Sequence, residues 1–231
     1  MINVRHGDER GVADFGWLFS KHTFSFGQYY DPNFMGFSSL RVINDDQVAP
    51  SAGFDTHGHK NMEIISYVLQ GRIAHKDSAG NIKTLPKGEF QLMSAGKGIY
   101  HSEFNASDNE TLKFLQIWIM PNEHNTEPGY QQKAFGTNKG LTTIITPNGE
   151  NGTLKIRQDM KLHQLIMDPD QSVETTFNYG KNVYIHLISS SLEINDTKIQ
   201  PGDGAMISDE GILMLTNSGN EELTALIFEM Q

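Results

Sequence analysis

The apolar residues of this chain are arranged for strands and not for helices. Short runs rich in Val, Ile, Phe, Tyr and Thr are separated by Gly, Asn, Asp and Pro, and no stretch keeps an apolar period of 3.6 residues for four turns. Such runs predict β-strands at residues 37–44, 62–69, 90–94, 111–120, 141–146, 182–188 and 223–229. Residues 77–81 and 201–204 predict turns. Many short strands at this spacing are typical of an all-β sandwich or barrel.

A polar segment near the middle divides the 231 residues into two halves. Residues 121–140 contain two prolines and three glycines and follow a strong strand pattern, as a linker would. Each half is long enough to bury a core of its own. We therefore predict two β-barrel domains, residues 1–130 and residues 131–231.

Composition excludes several classes of protein. The chain has no cysteine, which rules out thiolate metal sites, thiol nucleophiles and disulfides. Its net charge of −10 and the lack of a basic run disfavour direct binding to nucleic acid or to an anionic membrane surface. No apolar run reaches the roughly 18 residues of a membrane span. The N-terminus is polar from its third residue, which predicts no secretory signal, so we expect a cytoplasmic protein.

Two pairs of side chains carry metal-binding chemistry. His57 and His59 are two residues apart, so on a strand both project to the same side. His101 and Glu103 have the same spacing. Three imidazoles and one carboxylate suit Fe, Mn, Co, Ni, Cu or Zn and leave coordination positions open for a substrate. The competing interpretation, that these are solvated residues of an open strand, fits either pair alone better than it fits both together.

Other residues of the same types have simpler explanations. His163 and His186 lie in apolar strand patterns, which indicates core positions and a second domain without metal, and the aromatic neighbours of His22 favour packing. Polar neighbours predict solvent-facing positions for His6, His75 and His124. Six aromatic residues lie close together between positions 24 and 37 and could line a pocket for an aromatic substrate: Phe24, Phe26, Tyr29, Tyr30, Phe34 and Phe37. Core packing is the simpler explanation for most of the six.

The segments around both pairs resemble the two cupin motifs, and the first half as a whole resembles pirin, in its bacterial branch with quercetin 2,3-dioxygenase activity. Residues 53–63 with Gly71 resemble the first cupin motif and residues 88–103 the second. The resemblance to pirin extends over residues 5–135 and rests also on residues 10–11, 16–18, 22–26, 30–36, 40–46 and 116–121.

This resemblance implies a bicupin, with two jelly-roll barrels of which the C-terminal one is degenerate. It implies one divalent metal, usually Fe(II), with Zn, Mn, Co, Ni or Cu as further candidates. The implied ligands are His57, His59, His101 and Glu103. Glu63 stands where general cupins carry their carboxylate ligand, and we interpret it as a residue that supports the ligands without binding the ion.

The function implied is that of a metal-dependent dioxygenase that cleaves a flavonol-like aromatic substrate with O₂. Glu103 would act both as ligand and as the catalytic acceptor of the substrate's proton. An alternative is a non-catalytic metal-binding or redox-sensing regulator that acts through a protein partner, for which the more acidic second half is a candidate surface. A sugar or organic-acid isomerase is a third possibility, because one fold hosts many reactions. The sequence has no pattern of a long exposed apolar helix or a coiled coil through which copies could associate, so we expect a monomer.

Overall fold

The computed structural model describes residues 1–177 and 182–231, and its regular structure is almost entirely β. Within these ranges the helical structure is limited to one short 3₁₀ turn, Glu150–Gly152. Within the same ranges, no helix has the length and hydropathy needed to cross a membrane. The all-β prediction is therefore confirmed.

The strands are numbered in chain order. The first twelve are β1 (Ile2–Arg5), β2 (Gly11–Asp14), β3 (Leu18–His22), β4 (Leu40–Val48), β5 (Gly53–His59), β6 (Glu63–Gln70), β7 (Arg72–Asp77), β8 (Ile82–Pro86), β9 (Glu89–Ser94), β10 (Ile99–Asn105), β11 (Leu112–Ile119) and β12 (Gly129–Ala134). The others are β13 (Gly140–Thr146), β14 (Leu154–Lys155), β15 (Met160–Met167), β16 (Ser172–Thr175), β17 (Asn182–Ser189), β18 (Leu192–Ile194), β19 (Thr197–Ile199), β20 (Gly204–Ser208), β21 (Leu213–Asn217) and β22 (Leu223–Met230).

The chain forms two units, each built from more than one segment, so the boundary between them is not a single division at residue 130. The N-terminal unit consists of Gly11–Phe135 with Ile156–Gln158, and the C-terminal unit of Met1–Arg10, Gly136–Lys155 and Asp159–Gln231. Strand β1 belongs to the C-terminal unit because it pairs with β20, and β12 belongs to the N-terminal unit because it pairs with β9. The segment predicted as a linker therefore contains a strand, whose polar residues are tolerated because β12 lies at a sheet edge.

The N-terminal unit packs two antiparallel sheets around one apolar core. The large sheet has the order β12-β9-β6-β11-β4-β3-β2, and the small sheet has the order β5-β10-β7-β8. Val68 and Phe114 of the large sheet share a buried cluster with Ile73 and Leu85 of the small sheet. Burial of these side chains provides the main force that holds the two sheets face to face.

The predicted strands all correspond to observed ones, with small differences at their ends. The prediction at 62–69, for example, is β6, which spans Glu63–Gln70. The strand predicted from residue 37 begins at Leu40, because Phe37 and Leu40 close a tight turn through hydrogen bonds of 2.8 and 3.0 Å between their backbone groups. The turn predicted at 77–81 joins β7 to β8 as a hairpin.

The C-terminal unit repeats this two-sheet architecture. Its large sheet has the order β1-β20-β17-β22-β15-β13-β14, and its small sheet has the order β16-β21-β18-β19. The turn predicted at 201–204 connects β19 to β20. The core between the sheets is aliphatic. Leu165, Ile185 and Ile227 of the large sheet belong to one buried cluster with Leu192 and Leu215 of the small sheet.

His163 and His186 of the C-terminal unit are buried, as the apolar patterns predict. His186 is 1% exposed, and its Nδ1 has no hydrogen-bond partner among the described residues. Burial, and then the positive charge of Arg10, lower the pKa of His186 from 6.5 to about 3.

We therefore expect His186 to make the folded protein acid-sensitive. The unfolded chain binds the imidazole proton near pH 6.5 and the folded chain only near pH 3, so stability is full above pH 6.5 and is lost as the pH falls between these values. The free energy of unfolding should fall by about 1.4 kcal/mol per pH unit from this group. Urea unfolding at pH 7, 6 and 5 should show a weaker pH dependence in His186→Leu.

The matched control is His124→Leu, which replaces an exposed histidine and should keep the wild-type pH dependence. Equal slopes in the wild type and in His186→Leu would contradict this account.

Candidate metal centre

Strands β5 and β10 bring the two predicted pairs together on the inner face of the small sheet. They are antiparallel neighbours in which His57 lies opposite His101 and His59 lies opposite Ile99. Burial along β10 alternates, with His101 and Glu103 buried and Tyr100 exposed. A change of register between His101 and Glu103 marks a β-bulge, a feature common beside functional sites.

The turn before β10 needs glycine at position 96. Its φ is +50°, and an added Cβ would lie 2.2 Å from the backbone oxygen of Thr126. A larger residue would displace this backbone and with it the start of the strand that carries His101 and Glu103.

Three imidazoles meet at one point. The Nε2 atom of His101 lies 3.0 Å from that of His59 and 3.1 Å from that of His57. Two nitrogens bound at right angles to one ion, each about 2.1 Å from it, are about 3.0 Å apart, so the spacing fits a metal site. We call His57, His59 and His101 the imidazole triad. Among the residues that the structure describes, it is one of two groups of three or more potential ligand residues whose ligand atoms lie within 4.8 Å of one another.

The surroundings keep His59 and His101 unprotonated, which is the state that binds metals. Burial, and then the charges of His101 and His57, lower the pKa of His59 to about 4. Burial, and then the charges of His57 and His75, lower the pKa of His101 to about 3. His57 donates an Nδ1–H bond of 2.7 Å to the backbone oxygen of Asp55, which leaves the lone pair on Nε2.

Glu103 is 2% exposed and belongs to the second group, which we call the Glu103 triad: His75, His101 and Glu103. Its two oxygens accept hydrogen bonds from the Ser66 hydroxyl at 3.3 Å and from the Gln116 amide at 3.1 Å. Burial raises the pKa of Glu103. The four predicted ligands thus fall into two overlapping triads that share His101, and coordination by all four together stays a prediction.

His75 is a correction to the sequence analysis. It was predicted to face solvent, but it is 1% exposed, because β7 lies between β10 and β8 and places His75 opposite Glu103. The sequence contains a signal for this position: His75 lies two residues after the apolar Ile73, on the opposite face of the strand from the charged Arg72 and Lys76. The other two histidines predicted to face solvent, His6 and His124, are exposed.

Glu63 lies outside both triads. It is 1% exposed, and its Oε2 accepts hydrogen bonds from the Ser94 hydroxyl at 2.8 Å and from the backbone N–H of Arg157 at 3.3 Å. Burial raises the pKa of this carboxyl. The Ser94 contact connects the start of β6 to β9. The role of Glu63 as a residue that supports the ligands stays a prediction.

A cavity of about 880 Å³ opens beside His57 and His59. Its wall combines aromatic side chains with polar ones such as Asn44 and Asp46. The aromatic residues that line it, histidines apart, are Phe15, Trp17, Phe26, Tyr29, Phe54 and Trp118. The Trp118 ring contacts His59 edge-on at 5.0 Å and Phe26 at 5.3 Å, so one aromatic layer joins the triad to the cavity wall.

Of the six aromatic residues proposed for a pocket, Phe26 and Tyr29 line this cavity, whereas Phe24 is in the core and Tyr30 is 71% exposed. His22 is buried, as predicted, with an Asn44 hydrogen bond of 2.8 Å, and it also lines the cavity. The sequence did not predict the other four aromatic residues of the wall, because their positions depend on how the sheets pack: Phe15, Trp17, Phe54 and Trp118.

Two family models match the chain. The model described as Pirin matches residues 4–119, and the model described as Quercetinase C-terminal cupin domain matches residues 143–230. A protein of Escherichia coli K12 named Quercetin 2,3-dioxygenase is 45% identical over 230 residues, which cover 100% of this chain and 99% of that protein. A Pirin-like protein of Caulobacter vibrioides is 38% identical over 96% of this chain and 97% of its own.

Solved structures agree with this relationship. The crystal structure of YhhW from Escherichia coli is 44% identical, with a TM-score of 0.96 and coverage of 100% of this chain and 98% of that one. Its complex with nickel(II) gives a TM-score of 0.95, with 44% identity and coverage of 100% and 99%. The matched models and relatives show that this chain belongs to the pirin family and has the bicupin fold.

Proposed function

We propose that this protein is a metal-dependent dioxygenase that cleaves a flavonol-like aromatic substrate with O₂. The observation that carries the proposal is the meeting of the imidazole triad with an aromatic-walled cavity of about 880 Å³, a volume suited to a small molecule. The name of the Escherichia coli relative supports the choice of substrate class.

His57, His59, His101 and Glu103 would hold the ion. Fe(II) is the proposed metal, and the same nitrogen and oxygen donors accept Zn, Mn, Co, Ni or Cu; the Escherichia coli neighbour was solved with nickel(II). When bound, the ion supplies Lewis acidity that stabilises the deprotonated hydroxyl of the substrate.

Glu103 is suited to receive the proton of that hydroxyl. Its burial raises its pKa, so the protonated carboxyl is stabilised relative to an exposed one. The Ser66 hydroxyl and the Gln116 amide hold the two carboxylate oxygens in place while the proton moves. Within the cavity, the rings of Phe26 and Trp118 would stack on the substrate and exclude water from it.

An accessible cavity favours an enzyme over the regulator considered as the alternative. A metal sensor can function with a sealed site, whereas turnover needs room for substrate beside the metal, and here His57 and His59 both line the cavity. Both candidate triads lie in the N-terminal unit. We propose that the C-terminal unit, with its aliphatic core, is a degenerate cupin domain with a structural role.

His101→Ala should abolish metal-dependent oxygen uptake, because His101 is the member common to both triads. The measurement is oxygen uptake by iron-loaded protein after addition of quercetin, together with bound iron. His163→Ala, a buried histidine of the C-terminal unit, is the control and should keep both iron and activity. Uptake at the wild-type rate in His101→Ala, or none in wild-type protein with iron bound, would refute the proposal.

Glu103→Gln should lower kcat by about 100-fold or more, because an amide has the size of the carboxyl but cannot accept the proton. Bound metal is measured in parallel, so that loss of the ion is distinguished from loss of the proton acceptor. The matched control is Glu229→Gln, at a buried carboxylate of the C-terminal unit. Full turnover by Glu103→Gln with its metal retained would exclude this role.

A further inference from the structure

A buried histidine–aspartate pair lies beside the imidazole triad. The side chains of His75 and Asp77 have no exposed surface, and His75 Nε2 is 3.0 Å from Asp77 Oδ2. The hairpin after β7 holds Asp77 in place, because its Oδ1 accepts hydrogen bonds of 3.0 Å from the backbone N–H groups of Ala79 and Asn81. The position of Asp77 is thus set by the fold itself.

Asp77 determines which nitrogen of His75 carries the proton. A carboxylate only accepts hydrogen bonds, so Nε2 of His75 is the donor. A neutral His75 therefore presents the lone pair of Nδ1. That atom is buried and has no hydrogen-bond partner in the described part of the chain, which is a costly arrangement for a polar group unless a further ligand satisfies it.

His101 also has a buried ring nitrogen without a hydrogen-bond partner in the described part of the chain. Its Nε2 faces His57 and His59, and its Nδ1 is buried without a hydrogen-bond partner among the described side chains and backbone groups. Metal-binding imidazoles almost always donate their second N–H to a fixed acceptor, as His57 does to Asp55. The rings of His75 and His101 are 5.5 Å apart, and a nitrogen of each lies within 4.8 Å of the other.

We propose that the His75–Asp77 pair positions His101 through one buried water molecule. The Nδ1–H of His101 donates to this water, which in turn donates to Nδ1 of His75. Two nitrogens bridged by one water are about 4.7 Å apart, a separation within the reach of two rings whose centroids lie 5.5 Å apart. The chain from Asp77 to His101 fixes the tautomer and orientation of this ligand. This inference rests on the metal centre proposed above.

The test replaces His75 with phenylalanine. His75→Phe keeps a ring between His101 and Tyr130, whose ring lies 4.8 Å from that of His75, but removes both nitrogens. A role in packing alone would survive this change. We expect His75→Phe to bind Co²⁺ about 10- to 100-fold more weakly than the wild type, measured against a competing chelator, and to show an altered visible Co²⁺ absorption spectrum.

His163→Phe is the matched control, because His163 is also buried and paired with a carboxylate, Glu229 at 3.4 Å, but lies in the C-terminal unit. It should bind Co²⁺ as the wild type does. If His75→Phe does not fold, as judged by urea unfolding of the metal-free protein, Asp77→Asn replaces it with the same expectation. Wild-type affinity and spectrum in the folded variant would overturn the inference. Failure of the wild type itself to bind Co²⁺ would instead refute the metal centre, and this inference with it.

Discussion

The antiparallel register of β5, β10 and β7 is the constraint on which the site depends. Side chains alternate between the two faces of a strand, so a shift of one residue would turn every inner side chain outward. In the observed register, His101 lies between His57 on one neighbouring strand and Asp77 on the other. Three pairs of residues therefore share one inner face, although the pairs are far from one another along the chain. The two members of each pair are two residues apart: His57 and His59, His75 and Asp77, and His101 and Glu103.

Burial of these polar side chains is possible because the large sheet supplies partners for them. Ser66 on β6 and Gln116 on β11 both donate to Glu103, so the carboxylate is hydrogen-bonded within an otherwise apolar interior. The cost of burying a charge is avoided differently for two of the imidazoles. Burial lowers the pKa of His59 and of His101, so both are neutral at physiological pH. The interior thus holds the nitrogen donors of His59 and His101 in the unprotonated state that a divalent ion requires.

The two units show that one architecture supports either chemistry or packing. Each has a seven-stranded and a four-stranded sheet. In the C-terminal unit the small sheet contributes Leu192, Ile194 and Leu215 to an aliphatic cluster. In the N-terminal unit the small sheet contributes Ile73 and Leu85 to an apolar cluster and, in addition, the histidines and the carboxylate of the two triads. The function of a cupin barrel therefore lies in the inward residues of its strands and not in the fold.

Local pattern was sufficient for the seven strands predicted above, for the turns at 77–81 and 201–204, and for the shared faces of His57 with His59 and His101 with Glu103. Alternation and turn chemistry act between residues close in the chain. Local pattern was not sufficient for His75, for Trp17 and Phe54 in the cavity wall, or for the exchange of short segments between the units. Burial of His75 requires that β7 lie between β10 and β8. The sequence by itself determined that His57 and His59, and likewise His101 and Glu103, project from one side of their strands. Only the tertiary structure decided which of them meet, because strand order and sheet packing arise from contacts between segments far apart in the chain.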